Sequence, residues 1–274
     1  MTQPRSEAPV GVFDSGVGGL TVLQALHAQL PHESFVYLGD TARLPYGTKS
    51  LETVERYSLQ AAQALAAYDV KCIVVACNTA SSVGLAAIGD EIASIPVIGV
   101  IEPGAAAAAA ASRSGRIGVI GTEGTIRGGA YQRAITRRRP DAIVIAKATP
   151  LFVSLAEEGL TAGPIAESIA RHYLEPMFAG DAALDTLVLG CTHFPILADT
   201  IRAVVGPAMA VIDSAATTAA TVKGRLERAG LARRAGAHPT LRFLATDGPE
   251  RFARIGGSFL QRTIDAAEVE LVDL

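Results

Sequence analysis

The sequence has 274 residues, of which 49% are hydrophobic and 19% charged, enough for one large domain or two smaller ones with an ample core. Its formal net charge of −3 disfavours partners such as nucleic acid or an anionic membrane surface. Residues 1–9 are polar, and no apolar run reaches the length of a membrane-spanning helix, so we expect a cytoplasmic protein. In that compartment, its three cysteines are predicted to be free thiols.

Short apolar runs alternate with helical patterns along the whole chain. We predict strands at residues 9–14, 34–39, 71–76, 95–100, 116–120, 142–146, 186–190, 210–212 and 240–245. We predict helices at residues 20–30, about 50–68, 81–90, 105–111, 126–138, 152–158, 163–178 and 196–205. This alternation is typical of an α/β protein with parallel sheets.

Two segments of similar chemistry stand far apart in this pattern. Residues 73–79 read IVVACNT, and residues 187–193 read LVLGCTH. Each is an apolar run, as a buried strand would be, followed by a cysteine and small polar residues. An isolated cysteine at such a position is usually core filling, but two in matching turns indicate a pair of acid/base thiols that face one cavity. Cys72 is expected to point to the other face of its strand and only to pack.

These observations predict two similar α/β lobes with mainly parallel sheets flanked by helices. Ligands bind at the carboxyl ends of strands in such sheets, so a site between the lobes is expected. We predict that residues 1–100 and 212–274 form the first lobe, which carries Cys77. Residues 101–211 are predicted to form the second lobe, which carries Cys191.

The loop after the first strand reads DSGVGGL from Asp14, and its glycines allow close approach of a ligand to the backbone. Asp14 is predicted either to cap a helix or to hold an ammonium group and raise the basicity of a thiolate. In the second loop, Asp40 and Arg43 are expected to form a salt bridge.

Three further groups are candidates for proton transfer or for structure. His193 stands two residues after Cys191 and is suited to relay a proton near neutral pH. Glu157 and Glu158 follow an apolar segment and have a solvated helix face as their alternative interpretation. The run of arginines at residues 137–139 is interpreted as positive charge at a helix C-terminus, with contact to nucleic acid as the alternative.

Several motifs together resemble the glutamate racemase family of the cofactor-independent aspartate/glutamate racemase superfamily. They are GVFDSGVGGLT (residues 11–21), LGDTARLPYG (38–47), VACNTAS (75–81), GVIEPG (99–104), GVIGTEGT (118–125) and LGCTHFPIL (189–197). They span most of the chain in the order that the family has. The resemblance implies an isomerase that interconverts L- and D-glutamate without a cofactor or metal, supplies D-glutamate for peptidoglycan, and forms a homodimer.

The resemblance also implies roles for particular residues. Cys77 would remove the proton from D-glutamate and Cys191 the proton from L-glutamate. Asp14 would support the first thiol, while Glu157 and His193 would support the second. The residues implied to hold the substrate are Asp14, Ser15, Tyr46, Gly47, Asn78, Thr79, Thr122, Thr125, Thr192 and His193.

Other functions remain possible from the residues alone. A thiol hydrolase would use Cys191 with His193, but leaves Cys77 without a role. A two-lobed amino-acid-binding protein needs no catalytic group. A zinc site formed by both cysteines and His193 lacks the usual paired-cysteine spacing. Whether a four-carbon or a five-carbon amino acid fits best is not settled by the residues.

Overall fold

The structure, a computed structural model, describes residues 5–181, 183–234 and 238–274. The first four residues of the polar N-terminal segment lie outside this description. Within it, the chain folds into strands and helices in almost strict alternation. None of the described helices combines the length and the apolar character needed to cross a membrane.

The strands and helices follow the predicted order closely. The strands are β1 (Val10–Asp14), β2 (Phe35–Gly39), β3 (Cys72–Val75), β4 (Val97–Gly99), β5 (Arg116–Gly121), β6 (Ile143–Ala148), β7 (Thr186–Gly190), β8 (Ala210–Asp213), β9 (Leu241–Ala245) and β10 (Val269–Leu271). The helices are α1 (Leu20–Gln29), α2 (Leu51–Ala66), α3 (Asn78–Val83), α4 (Leu85–Glu91), α5 (Ile101–Ala111), α6 (Glu123–Gly128), α7 (Ala130–Arg138), α8 (Leu151–Glu157), α9 (Pro164–Gly180), α10 (Ala198–Val205), α11 (Ser214–Arg228) and α12 (Pro249–Leu260).

These strands form two separate sheets, and every pair of neighbouring strands is parallel. The first sheet has the order β10-β9-β2-β1-β3-β4, and the second has the order β6-β5-β7-β8. The strands β1, β3 and β7 are buried along their whole length, because helices cover both faces of each sheet. The predicted fold class, two α/β lobes with parallel sheets, is therefore confirmed.

The strand order places the functional turns. In the first sheet the chain runs outward from β1 to β2 and then crosses β1 to form β3, so the order reverses between β1 and β3. In the second sheet the same reversal lies between β5 and β7. Ligands bind at such switch points in open α/β sheets. Asp14 is the last residue of β1, and the turns after β3, β5 and β7 carry Cys77, Thr122 and Cys191.

Two predicted helices are divided by glycine. The predicted helix 126–138 is wrong as one element: Gly129, at φ +64°, separates α6 from α7. The predicted helix 81–90 begins earlier, because Cys77 caps α3, and it breaks at Gly84. A Cβ at Gly84 would lie 3.1 Å from Ser58 Cβ, so α2 packs closely there.

The predicted lobe boundaries are not tested as domains and stay a prediction. The strand β8 belongs to the second sheet and spans the predicted boundary between residues 211 and 212. The helix α11, which follows β8, packs against both α1 and α5 and so joins the two halves.

The arginine run ends a helix, as interpreted from the sequence. Arg137 and Arg138 lie in the last turn of α7. Both guanidinium groups pair with Glu102 on α5. Positive charge at the C-terminus of α7 is favourable because that end carries the negative pole of the helix dipole.

Candidate active site

A small cavity of about 40 Å³ lies between the carboxyl ends of the two sheets. It is lined by Ser15, Pro45, Tyr46, Gly47, Cys77, Asn78, Thr79, Thr122, Val153, Cys191, Thr192 and His193. Both predicted thiols are among these residues, one after β3 and the other after β7. The two sulfur-bearing turns therefore face a common space from different sheets.

Cys77 is 5% exposed and caps helix α3. Its Sγ accepts a hydrogen bond from the backbone N–H of Ala80 at 3.5 Å and lies 3.5 Å from Ser15 Oγ. Burial and the nearby Asp14 carboxylate raise the pKa of the Cys77 thiol to about 12, although its hydrogen bonds with Ser15 and Ala80 lower this pKa in part. The Cys77 side chain is therefore a protonated thiol at neutral pH in the ligand-free protein.

Asp14 ends β1 and is fully buried. Its carboxylate accepts a hydrogen bond from the backbone N–H of Gly16 at 3.0 Å, and Thr192 Oγ1 lies 3.5 Å away. It does not cap α1, which begins after Gly19 without a side-chain cap. Burial raises the pKa of Asp14, although the charge of His193 opposes this effect. The carboxylate is thus a buried hydrogen-bond acceptor behind the residues that line the site.

Cys191 is 5% exposed and is supported by a chain of polar side chains. His193 Nδ1 lies 3.8 Å from Cys191 Sγ, and His193 Nε2 lies 3.1 Å from Glu157 Oε1. Arg251 of α12 donates in turn to Glu157 Oε2 at 2.8 Å. Burial lowers the pKa of His193, but its bonds to Cys191 and Glu157 outweigh burial and raise this pKa to about 10.

Glu157 completes the electrostatics of this chain. Burial alone would raise the pKa of Glu157, but the hydrogen bond from His193 and the charge of Arg251 bring it below its usual value. An ionised Glu157 and a protonated His193 follow at neutral pH. The positive charge of this imidazolium therefore lies beside Cys191. The two thiols thus lie in unlike surroundings.

Three threonine hydroxyl groups join the lobes next to the cavity. Thr79 Oγ1 on α3 lies 2.8 Å from Thr122 Oγ1 and 3.2 Å from Thr125 Oγ1, and the last two atoms are 3.0 Å apart. A Cβ at Gly47 would lie 2.7 Å from Thr122 Cβ, and one at Gly124 would lie 2.8 Å from Thr79 Cγ2. Glycine at these positions lets the lobes approach so closely.

Tyr46 closes the cavity from the second loop and is held by Asp40. The Tyr46 hydroxyl donates to the buried Asp40 carboxylate, which also forms the expected salt bridge with Arg43 at 2.7 Å. Thr246, after β9, donates to the other oxygen of Asp40 at 3.0 Å. Asp40 therefore fixes the loop that carries Tyr46 and Gly47.

The structure brings most of the sequence-predicted site residues together. Asp14, Glu157 and Thr125 stand behind the lining residues and bond to them. Cys72 belongs to a different part of the core from Cys77, in agreement with its predicted packing role. Glu158 is exposed.

Sequence reasoning missed several residues of the site. Pro45 and Val153 line the cavity, Arg251 binds Glu157, and Tyr131 donates to Asn78. Pro45 lies inside a recognised motif and was open to inference. Arg251 and Tyr131 stand on helices with no local signal, and only the tertiary contacts reveal them.

Metal chemistry was one of the alternatives. Among residues 5–181, 183–234 and 238–274, no group of three or more His, Cys, Asp or Glu side chains is arranged to hold a metal ion. A zinc site formed by Cys77, Cys191 and His193 therefore has no support in the geometry.

The two parallel sheets and the cavity between them define a two-lobed α/β protein with a candidate active site at the carboxyl ends of its strands. The chain belongs to the Asp/Glu/Hydantoin racemase family, whose model matches residues 18–222. It is 51% identical over 251 residues, 92% of both chains, to a protein of Geobacter metallireducens named glutamate racemase.

Two solved structures of glutamate racemases are also similar to this chain. The glutamate racemase of Francisella tularensis, in complex with D-glutamate, is 36% identical with a TM-score of 0.90, covering 98% of both chains. That of Thermus thermophilus, in complex with β-chloro-D-alanine, is 45% identical with a TM-score of 0.88 and the same coverage.

Proposed function

We propose that this protein interconverts L- and D-glutamate by two-base proton transfer at Cα without a cofactor, with Cys77 and Cys191 as the acid/base groups. The observation that carries the proposal is that both thiols line one cavity from different sheets. Inversion needs a base on one side of the carbon and an acid on the other. Glutamate as the substrate is supported by the names of the relatives at 36–51% identity.

In the L-to-D direction, the Cys191 thiolate removes the Cα proton and the Cys77 thiol donates its proton to the opposite face. The imidazolium of His193 lies beside Cys191, where the base of this direction must stand, and the raised pKa of Cys77 keeps that group protonated. After turnover Cys191 carries the proton taken from the substrate, and Cys77 is a thiolate. The D-to-L direction starts from that opposite state.

Groups in the cavity lining and directly behind it match an amino acid. The Asp14 carboxylate suits the ammonium group, and the hydroxyl and amide groups of Asn78, Thr79 and Thr192 suit carboxylate oxygens. The proton on Cα is very weakly acidic, so negative charge that develops on the carbanion must be stabilised. Oriented donors in a small, closed cavity supply that stabilisation.

The wider role follows from the same proposal. D-glutamate formed in the cytoplasm would enter peptidoglycan, and the protein would act as a homodimer. Neither nucleic acid nor a membrane would be a partner. These statements are supported by membership of the family and by the net charge of −3.

The test is to follow the circular dichroism of L-glutamate and of D-glutamate with the purified protein, with both enantiomers of aspartate in parallel. We expect loss of signal from both glutamate enantiomers and, in D2O, deuterium at Cα of the product. Retention of optical activity by glutamate would contradict the proposal. Faster turnover of aspartate would correct the substrate and leave the two-base scheme in place.

A thiol hydrolase is the second candidate, because Cys191, His193 and Glu157 form a chain like that of a catalytic triad. This candidate gives no role to Cys77, which lines the same cavity. A covalent acyl group on Cys191, detected by mass spectrometry after incubation with an activated glutamyl ester, would favour the hydrolase. An unmodified enzyme that racemises glutamate would exclude it.

A further inference from the structure

Asn78 is the single asparagine of the 274-residue sequence, and it lines the cavity. Its side chain is 2% exposed, and it directly follows Cys77. Its Nδ2 atom is buried and has no hydrogen-bond partner among the described residues. A buried N–H group without an acceptor is costly, so an unpaired donor in a cavity indicates that a ligand supplies the acceptor.

The other end of the same amide is fixed by Tyr131. The Tyr131 hydroxyl donates to Asn78 Oδ1 at 2.8 Å. Because Oδ1 is engaged in this bond, Nδ2 is the amide atom left for the cavity. Tyr131 lies at the start of α7, beside the second sheet, while Asn78 lies at the start of α3, beside the first sheet. The bond therefore crosses between the two lobes.

The ring of Tyr131 is itself held tightly. Its side chain is 1% exposed. A Cβ at Gly104 would lie 3.2 Å from the Tyr131 hydroxyl oxygen, and one at Gly190 would lie 3.1 Å from Tyr131 Cε2. Only glycine leaves this space, and Gly190 is the residue before Cys191. Tyr131 thus contacts the neighbours of both thiols.

The hydroxyl of Tyr131 remains a donor throughout the working range of pH. Burial raises its pKa well above the usual value, and a hydrogen bond from Ser214 offsets this only in part. A phenol that stays protonated keeps Asn78 Oδ1 in the accepting role.

We propose that Tyr131 is a positioning residue of the reaction: its hydroxyl orients the Asn78 amide so that Nδ2 donates to a carboxylate oxygen of the bound amino acid. This inference rests on the proposed function and deepens it. A donor suits a carboxylate, while the ammonium group has Asp14. Since the bond joins the two lobes, the amide is oriented only when they are together.

The first test compares Tyr131→Phe with Tyr173→Phe in steady-state racemisation. Tyr173 is a buried control that does not line the cavity. Its hydroxyl accepts a hydrogen bond from the backbone N–H of Leu151 at 3.3 Å. We expect Tyr131→Phe to raise KM about tenfold with kcat changed less than about threefold, because the Asn78 donor is no longer held toward the substrate. Tyr173→Phe should leave both constants unchanged. An unchanged KM in Tyr131→Phe would overturn the proposal.

The second test is a double-mutant cycle with Asn78→Ala. If Tyr131 acts through Asn78, adding Tyr131→Phe to Asn78→Ala lowers kcat/KM by no more than about twofold further. If the losses of kcat/KM in the two single variants multiply in the double variant, the proposal is overturned. Thermal unfolding of all variants separates this effect from a loss of folded protein.

A third readout needs no turnover. With asparagine labelled by 15N at Nδ2, the protein gives one side-chain amide signal, because the sequence has one asparagine. We expect Tyr131→Phe to move this signal in the ligand-free protein and Tyr173→Phe to leave it in place. An unmoved signal in Tyr131→Phe would refute the orienting bond even if glutamate racemisation is found. A moved signal in a protein that does not racemise glutamate would remove the proposed function but keep the bond.

Discussion

The Nδ1 atom of His193 lies 3.8 Å from the Sγ atom of Cys191 in a buried pair, so one of the two thiols has a cationic neighbour. The pKa of the other thiol, Cys77, is raised by burial and by the nearby Asp14 carboxylate. The two sulfurs are therefore chemically unequal, although they would serve the same reaction in opposite directions. Since enantiomers have equal free energy, the value of kcat/KM must be equal in both directions. The chemical difference between the two sulfurs can therefore appear only as different values of kcat and of KM for the two enantiomers.

Removing either thiol should stop racemisation in both directions, because each direction needs one base and one acid. We expect Cys77→Ala and Cys191→Ala each to lower kcat/KM at least about a thousandfold for both enantiomers. Cys72→Ala is the matched control: this residue is also buried but does not line the cavity, and its variant should keep wild-type activity. Measurable turnover of one enantiomer by Cys77→Ala would contradict the two-base scheme.

The reactivity of Cys77 should depend steeply on pH. In a Cys72→Ser/Cys191→Ser background, we expect its rate of alkylation by iodoacetamide to rise about tenfold per pH unit between pH 7 and 10, because only the thiolate reacts. The raised pKa, about 12, places the plateau above this range. Mass spectrometry of the alkylated protein provides the rates.

Asp14→Asn tests the cause of that shift. Removing the negative charge lowers the pKa of Cys77, so alkylation at pH 8 should become faster. Glu158→Gln, which neutralises an exposed carboxylate, should leave the rate unchanged. A plateau at or below pH 9 in the parent protein would argue against a buried, protonated Cys77.

Gly18 allows Thr192 and His193, which follow Cys191 in the chain, to approach the first lobe closely. A Cβ at this position would lie 2.5 Å from His193 Cε1 and 2.6 Å from Thr192 Oγ1. We expect Gly18→Ala to lower the free energy of unfolding by about 1–3 kcal/mol, the usual cost of overpacking, and to reduce activity. Urea unfolding and racemisation assays measure the two effects.

Gly89→Ala is the matched control for that substitution. A Cβ at Gly89 meets nothing within 4 Å, and the residue lies inside α4. Alanine there should be neutral or stabilise by about 0.4–1 kcal/mol through the unfolded chain. Equal stability of the two variants would show that the space at Gly18 is not restricted.

Lys71 should be essential to the stability of the first lobe. Its ammonium group is fully buried, pairs with Glu33 and donates to the carbonyl oxygens of Ser6 and Leu231 at 2.8 and 2.9 Å. We expect Lys71→Met to cost about 3–5 kcal/mol, because it leaves a buried carboxylate without its cation. The double variant Lys71→Met/Glu33→Leu should recover part of this loss in urea unfolding. A double variant less stable than Lys71→Met would contradict that reason.

Much of the fold was accessible from sequence because buried parallel strands read as continuous apolar runs. The strand at residues 186–190 was predicted at its observed bounds. The strand β10 and the helices α11 and α12 were not predicted. β10 is only three residues long and reads VEL, a run too short to show a period.

The residues of the candidate site were likewise predictable only in part. Cys77, Cys191 and their followers were recognisable because strand-end turns keep functional residues next to one another in the chain. Arg251 and Tyr131 reach the site from helices remote in sequence, through bonds to Glu157 and Asn78. Such partners depend on how α12 and α7 pack, which no local pattern encodes.

The threonine hydroxyls of Thr79, Thr122 and Thr125 have a consequence for how the enzyme meets its surroundings. At these threonines the halves meet through short, uncharged groups, whereas the Arg251–Glu157 ion pair joins them near His193. Dissolved salt weakens attraction between exposed charges but has little effect on neutral hydroxyl contacts. Changes in the cell's ionic strength would therefore act on the Arg251–Glu157 pair, while the threonine contacts keep their strength.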